Sequence, residues 1–260
     1  MTAQLQFDDA AARAIESVYG TADVIEQRRR ILDALGLRPG ERVLDLGCGP
    51  GFLAAEMAVA VGPRGAVHGA DLSAAMLEIA ARRAPGPDAA PIELSRQDVL
   101  GLSLPDAAFD AAVCTQVYEY VDDMPAALAE ARRVLVPGGR LLVLDTDWDS
   151  IVWRSDDDAR MDRVLAAWDD HLAHRDLPRR LPELLADAGF TLRDSEVVPI
   201  LNVGYSARTY SAGMIDLVAG FVAGRRGVDE REARAWADDL HGMGPRYFFS
   251  LSRYLFVATR

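Results

Sequence analysis

Apolar positions along the chain fall into short continuous runs that alternate with longer stretches of helical periodicity. Amphipathic helices are predicted around 8–18 and 23–35. RVLDL at 42–46 reads as a buried strand, and FLAAEMAVAV at 52–61 as the helix that follows it. The pattern repeats: strand at 65–72, helix at 73–84, strands at 91–97 and 109–116, helix at 124–135, strand at 139–147. Strands alternating with helices predict a parallel sheet in an α/β fold. Beyond 147 the pattern loosens into helical segments, then strand character returns at 191–203 and again in a long closing run at 246–259.

Several boundaries carry their own mechanics. Ser73 is placed to cap the helix that begins after it and ends near Ala84, ahead of Pro85. Pro137-Gly138-Gly139 is expected to stop a helix at Val136 and turn the chain into the next strand. Two insertions, 147–190 and 204–245, flank the late strands. In an open α/β sheet, ligands bind beyond the carboxyl ends of the strands, which makes these insertions candidate lids over a substrate. The expected organisation is one domain over 1–260, with N-terminal helices at 1–36 and a binding core at 37–146.

Composition narrows the chemistry. The chain has 260 residues and a formal charge of -12, which disfavours nucleic acid and anionic membrane surfaces as partners. All 28 basic residues are arginine. Without lysine, a Walker A phosphate loop and Schiff-base catalysis are excluded. The first residues lack a basic start and an apolar stretch, and no apolar run approaches the roughly 20 residues that span a bilayer, so a cytoplasmic location is expected. Cys48 and Cys114 lie inside a loop and a strand and do not suggest a disulfide framework.

The most informative stretch is VLDLGCGPG at 43–51, with three glycines at alternate positions between a strand and a helix. Glycine permits close backbone approach to a ligand and positive φ. A dinucleotide fingerprint would need its third glycine at position 52, which is Phe52. An acid, Asp71, ends the next strand 20 residues after Gly51, and Gln97-Asp98-Val99 ends the third.

In this order and spacing the motifs resemble those of class I S-adenosylmethionine-dependent methyltransferases of the small-molecule, ubiquinone and menaquinone biosynthesis type. The resemblance covers about 20–146. It implies a Rossmann-like, mostly parallel seven-stranded sheet with helices on both faces and an antiparallel last strand. It also implies S-adenosyl-L-methionine as cofactor. Gly47, Cys48, Gly49 and Gly51 would pass under its methionine part, and Asp45 would face its amino group. Asp71 would accept from both ribose hydroxyls, and Leu72 and Met76 would pack on the adenine. Asp98 would take the exocyclic amine, with Gln97 and Val99 beside it. Thr115 and Gln116 would border the methyl group, and Tyr19, Gln27 and Arg28 would reach the cofactor carboxylate from an N-terminal helix.

The sulfonium is already activated, so the protein mainly aligns a nucleophile and excludes water. A general base helps where a hydroxyl must lose a proton. His171 and His174, three apart on one expected helix face, and Asp147, just after the fifth strand, are the candidates. No cluster of Cys or further His supports a metal site. Trp148 and Trp153 could form an aromatic wall, whereas His68 reads as core.

The implied activity is methyl transfer to a small organic molecule by a monomer or homodimer. The alternative is a cofactor-binding protein of the same fold that does not methylate: a scaffold, or a decarboxylase or cyclase that uses the sulfonium only for its charge.

Overall fold

The computed structural model describes residues 16–83 and 85–260. Most of the helix expected over 8–18, and the residue at position 84, lie outside the described residues.

Helix α1 (Ala22–Leu35) is followed by β1 (Arg42–Leu46), α2 (Phe52–Val61), β2 (Ala66–Asp71), α3 (Ala74–Ala81), β3 (Ile92–Arg96) and β4 (Phe109–Thr115). Then come α4 (Met124–Val134), β5 (Leu135–Trp153), α5 (Asp158–Trp168), α6 (Leu181–Asp187), β6 (Thr191–Val203), α7 (Tyr210–Val222), α8 (Glu230–Gly242) and β7 (Phe248–Thr259). The seven strands form one sheet in the order β3-β2-β1-β4-β5-β7-β6. Strands β1 to β5 pair in parallel, and β7 inserts antiparallel between β5 and β6. The fold is therefore the expected Rossmann-like sheet, six strands parallel and the last antiparallel.

Side-chain alternation divides the core between the two faces. Val43, Val113, Leu142 and Leu144 meet Ile31 and Leu35 of α1 and Met57 and Val61 of α2. Leu44, Ala112, Leu141 and Val143 meet Leu128 and Ala131 of α4 and Leu185 of α6. Successive residues of one strand thus serve opposite cores, as a pleated strand requires. A third cluster joins α5, α7 and α8 to one end of the sheet through Trp153, Trp168, Trp236 and Phe249.

Ser73 caps α3 as expected, its hydroxyl accepting from the Met76 amide at 3.3 Å. Three boundaries differ from the sequence reading. Helix α3 stops at Ala81, three residues before the anticipated end. Strand β5 begins at Leu135 and contains Pro137-Gly138-Gly139 as an irregularity: Phe109 pairs with Leu135, but Ala111 pairs with Arg140. The extra residues are accommodated by a bulge with Gly138 at φ +79, so the segment re-registers a strand and does not turn the chain between two elements. Strand β5 also runs on past Asp147 to Trp153, because β7 continues to pair with it across a second irregularity between Asp147 and Val152.

Candidate active site

The loop after β1 lies at the carboxyl end of the parallel strands, where the first βα turn opens a crevice. Gly47, Gly49 and Gly51 all have positive φ, at +71, +51 and +78. At Gly47 a Cβ would fall 2.2 Å from Val117 Cγ2, and at Gly51 2.7 Å from Ala80 Cβ. Two of the three glycines are therefore required by packing against protein as well as by conformation.

Asp71 is joined to this loop. Its Oδ2 accepts the Gly49 amide and its Oδ1 the Ser73 amide, each at 2.8 Å. Asp45, by contrast, is 1% exposed, and neither carboxylate oxygen has a hydrogen-bond partner among the described residues. Burial and the nearby Asp71 charge raise its carboxyl to about 7. An unpaired buried carboxylate is costly unless a partner arrives. Asp45 lines a cleft with Gly47, Cys48, Pro50, Thr115, Gln116, Tyr19, Gln27, Arg28 and Arg253.

The N-terminal residues close this cleft. Arg28, buried, donates to the Tyr19 carbonyl and to Glu56 at 2.8 Å each. Gln27 is 4% exposed and accepts from Arg253, 226 positions along the chain. Burial raises the Tyr19 phenol to about 12.

Other expected contacts sit apart from the cleft's lining. Leu72 is exposed beside Asp71, and Met76 is buried on α3 against Tyr19. Gln97 accepts the Ser103 amide at 2.9 Å, Asp98 caps a turn by accepting the Leu100 amide at 2.9 Å, and Val99 is buried.

A second cavity adjoins the first and shares Tyr19, Gln116 and Arg253 with it. Its remaining wall is Val18, Glu119, Tyr120, Trp148, Trp168, Tyr210, Met214 and Leu217. Gln116 at the junction has φ +56, a conformation few side chains adopt and one held here by its neighbours. Its Oε1 accepts from Thr146 Oγ1 at 2.7 Å, and Thr146 Oγ1 accepts from Arg253 Nε at 3.2 Å.

Glu119, absent from the sequence reading, is 1% exposed. Its Oε2 accepts from Trp148 Nε1 at 3.0 Å and the Thr146 amide at 3.4 Å, while Oε1 has no partner among the described residues. Burial pushes its carboxyl up, opposed by the Trp148 hydrogen bond, the Arg253 charge and the neighbouring Tyr120 hydroxyl. Neighbouring Asp145, fully buried, is raised well above the usual carboxylate range by burial and by Glu119.

The three anticipated catalytic side chains are not brought to either cavity. Helix α5 ends at Trp168, so His171 and His174 do not share a helix face; His171 closes a short 3-10 turn and His174 lies in the loop after it. His171 packs behind the aromatic wall, 5.4 Å from the Trp148 ring centroid and 3.8 Å from that of Trp168, with Nδ1 on the Trp168 carbonyl. Burial lowers its imidazole to about 4. Asp147 is 5% exposed and clamped by Arg179 through two hydrogen bonds of 2.9 Å, because β5 continues instead of ending beside the crevice.

Comparison with known proteins agrees with this geometry. Residues 44–143 match the family profile described as a methyltransferase domain. A 37.1 kDa protein of transposon TN4556 in Streptomyces fradiae is 38% identical over 88% of this chain and 65% of its own length. The 2-phytyl-1,4-naphtoquinone methyltransferase of Synechococcus elongatus is 45% identical over 42% of this chain and 47% of its own. The chain thus spans about half to two thirds of the length of these relatives. Among solved structures, phosphoethanolamine N-methyltransferase 2 of Haemonchus contortus, in complex with S-adenosyl-L-methionine, superposes with a TM-score of 0.63 at 20% identity, over 98% of this chain and 58% of its own.

Proposed function

We propose that this chain, whose residues 44–143 match a methyltransferase domain, is a class I S-adenosylmethionine-dependent methyltransferase that transfers the cofactor's methyl group to a small organic acceptor. The observation that carries this reading is Asp45: a buried carboxylate without a hydrogen-bond partner among the described residues, in the lining of a cleft built with the glycine loop. An amino cation supplies the missing charge. The cofactor, when bound, supplies an electrophilic methyl on a sulfonium.

The protein's own residues do the rest. Gly47, Cys48, Gly49 and Gly51 would lay backbone along the methionine part, and Asp45 would hold the amino group. Tyr19, Gln27 and Arg28 would cover the carboxylate end, and Thr115 and Gln116 would face the methyl. Asp71 retains a lone pair on each oxygen beyond its two amide bonds, which suits two ribose hydroxyls. Leu72, Met76, Gln97, Asp98 and Val99, outside the cleft's lining, would flank the adenine.

The insertions at 147–190 and 204–245 act as acceptor lids in this reading. Trp148 and Trp168 of the first and Tyr210, Met214 and Leu217 of the second contribute to the second cavity, which supports that role. The segment 1–36 covers the cofactor, and 37–146 is the binding core. Among the described residues no helix is long and apolar enough to cross a membrane, and we place the activity in the cytoplasm, on a monomer or homodimer, without a nucleic-acid partner.

The test is direct. Calorimetry with S-adenosylhomocysteine should show binding, and incubation with S-adenosylmethionine and a panel of phenols, amines and carbon acids should release S-adenosylhomocysteine with a methylated product. Cofactor bound without turnover of any acceptor would favour the non-methylating alternative.

A further inference from the structure

We propose that Glu119 is the proton acceptor of the reaction and that the second cavity takes a neutral aromatic molecule bearing a hydroxyl group. This rests on the methyltransferase reading and specifies its acceptor.

Glu119 sits on the short helical turn 118–120 that follows β4, directly after the Gln116 junction between the two cavities. The first insertion is docked onto the same turn: the amides of Ala173 and His174 both donate to the Glu119 carbonyl at 3.0 Å. Its side chain is equally fixed. Trp148 and the Thr146 amide hold Oε2, and with the Tyr120 hydroxyl beside the carboxyl Oε1 still has no hydrogen-bond partner among the described residues, in a side chain that helps line the cavity. A buried acceptor of this kind is worth leaving unpaired only if a ligand donor completes it.

Charge balance selects the donor. The titratable groups around Glu119 are Asp145, Arg253, Tyr19, Tyr120 and Tyr210. Burial keeps the three phenols neutral, and burial together with the Glu119 charge favours the protonated form of Asp145. Beside it stands Glu119, whose ionised form the Trp148 hydrogen bond and the Arg253 charge favour against burial, and the Arg253 guanidinium lies 4.6 Å from the Tyr210 ring centroid. The cavity is then near neutrality. A cationic acceptor would face Arg253 without a second anion, and an anionic one would face Glu119. A neutral hydroxyl offends neither.

The remaining wall is aromatic and aliphatic: Tyr120, Trp148, Trp168, Met214 and Leu217. Flat aromatic walls favour a flat aromatic guest by stacking and edge contacts. The hydroxyl proton passes to Glu119 Oε1 as the acceptor oxygen bonds the methyl carbon. The carbon–sulfur bond of the sulfonium breaks with its electron pair kept on sulfur, leaving S-adenosylhomocysteine. Glu119 returns the proton to solvent when product leaves. Arg253, at the junction of both cavities, offsets the negative charge on the acceptor oxygen during transfer.

The experiment uses the full chain saturated with S-adenosylhomocysteine and titrated with 4-methylphenol, 1-naphthol or benzyltrimethylammonium, read by tryptophan fluorescence, since Trp148 and Trp168 line the cavity. The two phenols should bind and the quaternary cation should not. Glu119→Gln keeps an oxygen for Trp148 and removes the charge; it should weaken the phenols at least tenfold while leaving S-adenosylhomocysteine affinity unchanged. With a phenol that is turned over, kcat should fall at least a hundredfold with little change in KM for S-adenosylmethionine. Glu119→Asp should retain the dependence of kcat on an ionised carboxyl. In the wild type alone, phenol affinity should fall as pH drops, which keeps the test alive if a variant misfolds. Preference for the quaternary cation, no phenol binding, or unchanged phenol binding in Glu119→Gln would overturn the proposal. Failure of S-adenosylhomocysteine to bind the wild type would instead sink the cofactor reading.

Discussion

Asp71 reaches back to the glycine loop and accepts the Gly49 amide at 2.8 Å, so the acid at the end of β2 helps shape the loop it stands beside. Its second oxygen accepts the Ser73 amide, at the N-cap of α3. One carboxylate thus joins the first βα loop to the second.

Replacing that carboxylate removes both functions. Asp71→Ala is expected to weaken S-adenosylhomocysteine binding by at least about tenfold, equivalent to about 1–2 kcal/mol for the ribose hydroxyls that lose an acceptor. It should also lower the unfolding midpoint, since the Gly49 and Ser73 amides lose their partner. Isothermal calorimetry and thermal unfolding read the two effects separately. Unchanged affinity with lowered stability would make Asp71 a loop tether only.

Asp45 predicts a pH dependence of opposite sign to that of an ordinary paired carboxylate. Its folded carboxyl titrates near 7 against an unpaired value of 3.8, so the folded protein holds a proton that the unfolded chain releases between those values. The corresponding stability is complete below about pH 4, declines as pH rises through 7, and is level above, a swing on the order of 4 kcal/mol. Asp45→Asn should flatten it, as urea unfolding at pH 5 and pH 8 would report. An amino cation bound at Asp45 favours the ionised form. Cofactor affinity should therefore rise from pH 5 to 7 with proton release, measured by calorimetry in two buffers of different ionisation enthalpy.

What could be read ahead of the structure followed the range of the interactions. Strand β1, helix α2 and the outer strand β6 are set by local runs and turn residues, and their limits agree with the sequence to the residue. The end of β5 was not local: the strand runs on to Trp153 because β7, about 100 positions later, pairs with Val152 and Trp153 beyond the irregularity. Gln27 looked like one polar residue on a helix, and its burial depends on Arg253. Glu119 sits in VYEY, where no periodicity marks a buried acid. Its environment is assembled by β4, β5, the first insertion and β7. His171 shows the converse, since a histidine beside the crevice in sequence is packed behind its aromatic wall.

His171 should then matter for acid stability more than for turnover. Burial lowers its imidazole from 6.5 to about 4, so the folded protein resists a proton that the unfolded chain accepts. This contribution is complete above about pH 6.5 and lost as pH falls through 4, up to about 3 kcal/mol. His171→Leu should lose less stability than the wild type between pH 7 and pH 4.5, and should retain turnover within a few fold. Loss of kcat by a hundredfold with normal stability would restore His171 as the catalytic base.

Gly47 allows a sharper division between what a glycine does for the fold and what it does for a ligand. A Cβ there would meet Val117 Cγ2 at 2.2 Å, and the residue sits at φ +71. Gly47→Ala therefore combines a clash, about 1–3 kcal/mol, with left-handed strain of about 1–2 kcal/mol. Val117→Ala removes the clashing methyls and none of the strain. The double variant Gly47→Ala/Val117→Ala should accordingly recover part of the loss, with a coupling energy of about 1–2 kcal/mol in a double-mutant cycle followed by urea unfolding. Additive losses would mean that the neighbour moves aside freely. In that case the clash contributes nothing, and the glycine is kept for its backbone conformation and for the approach of the cofactor.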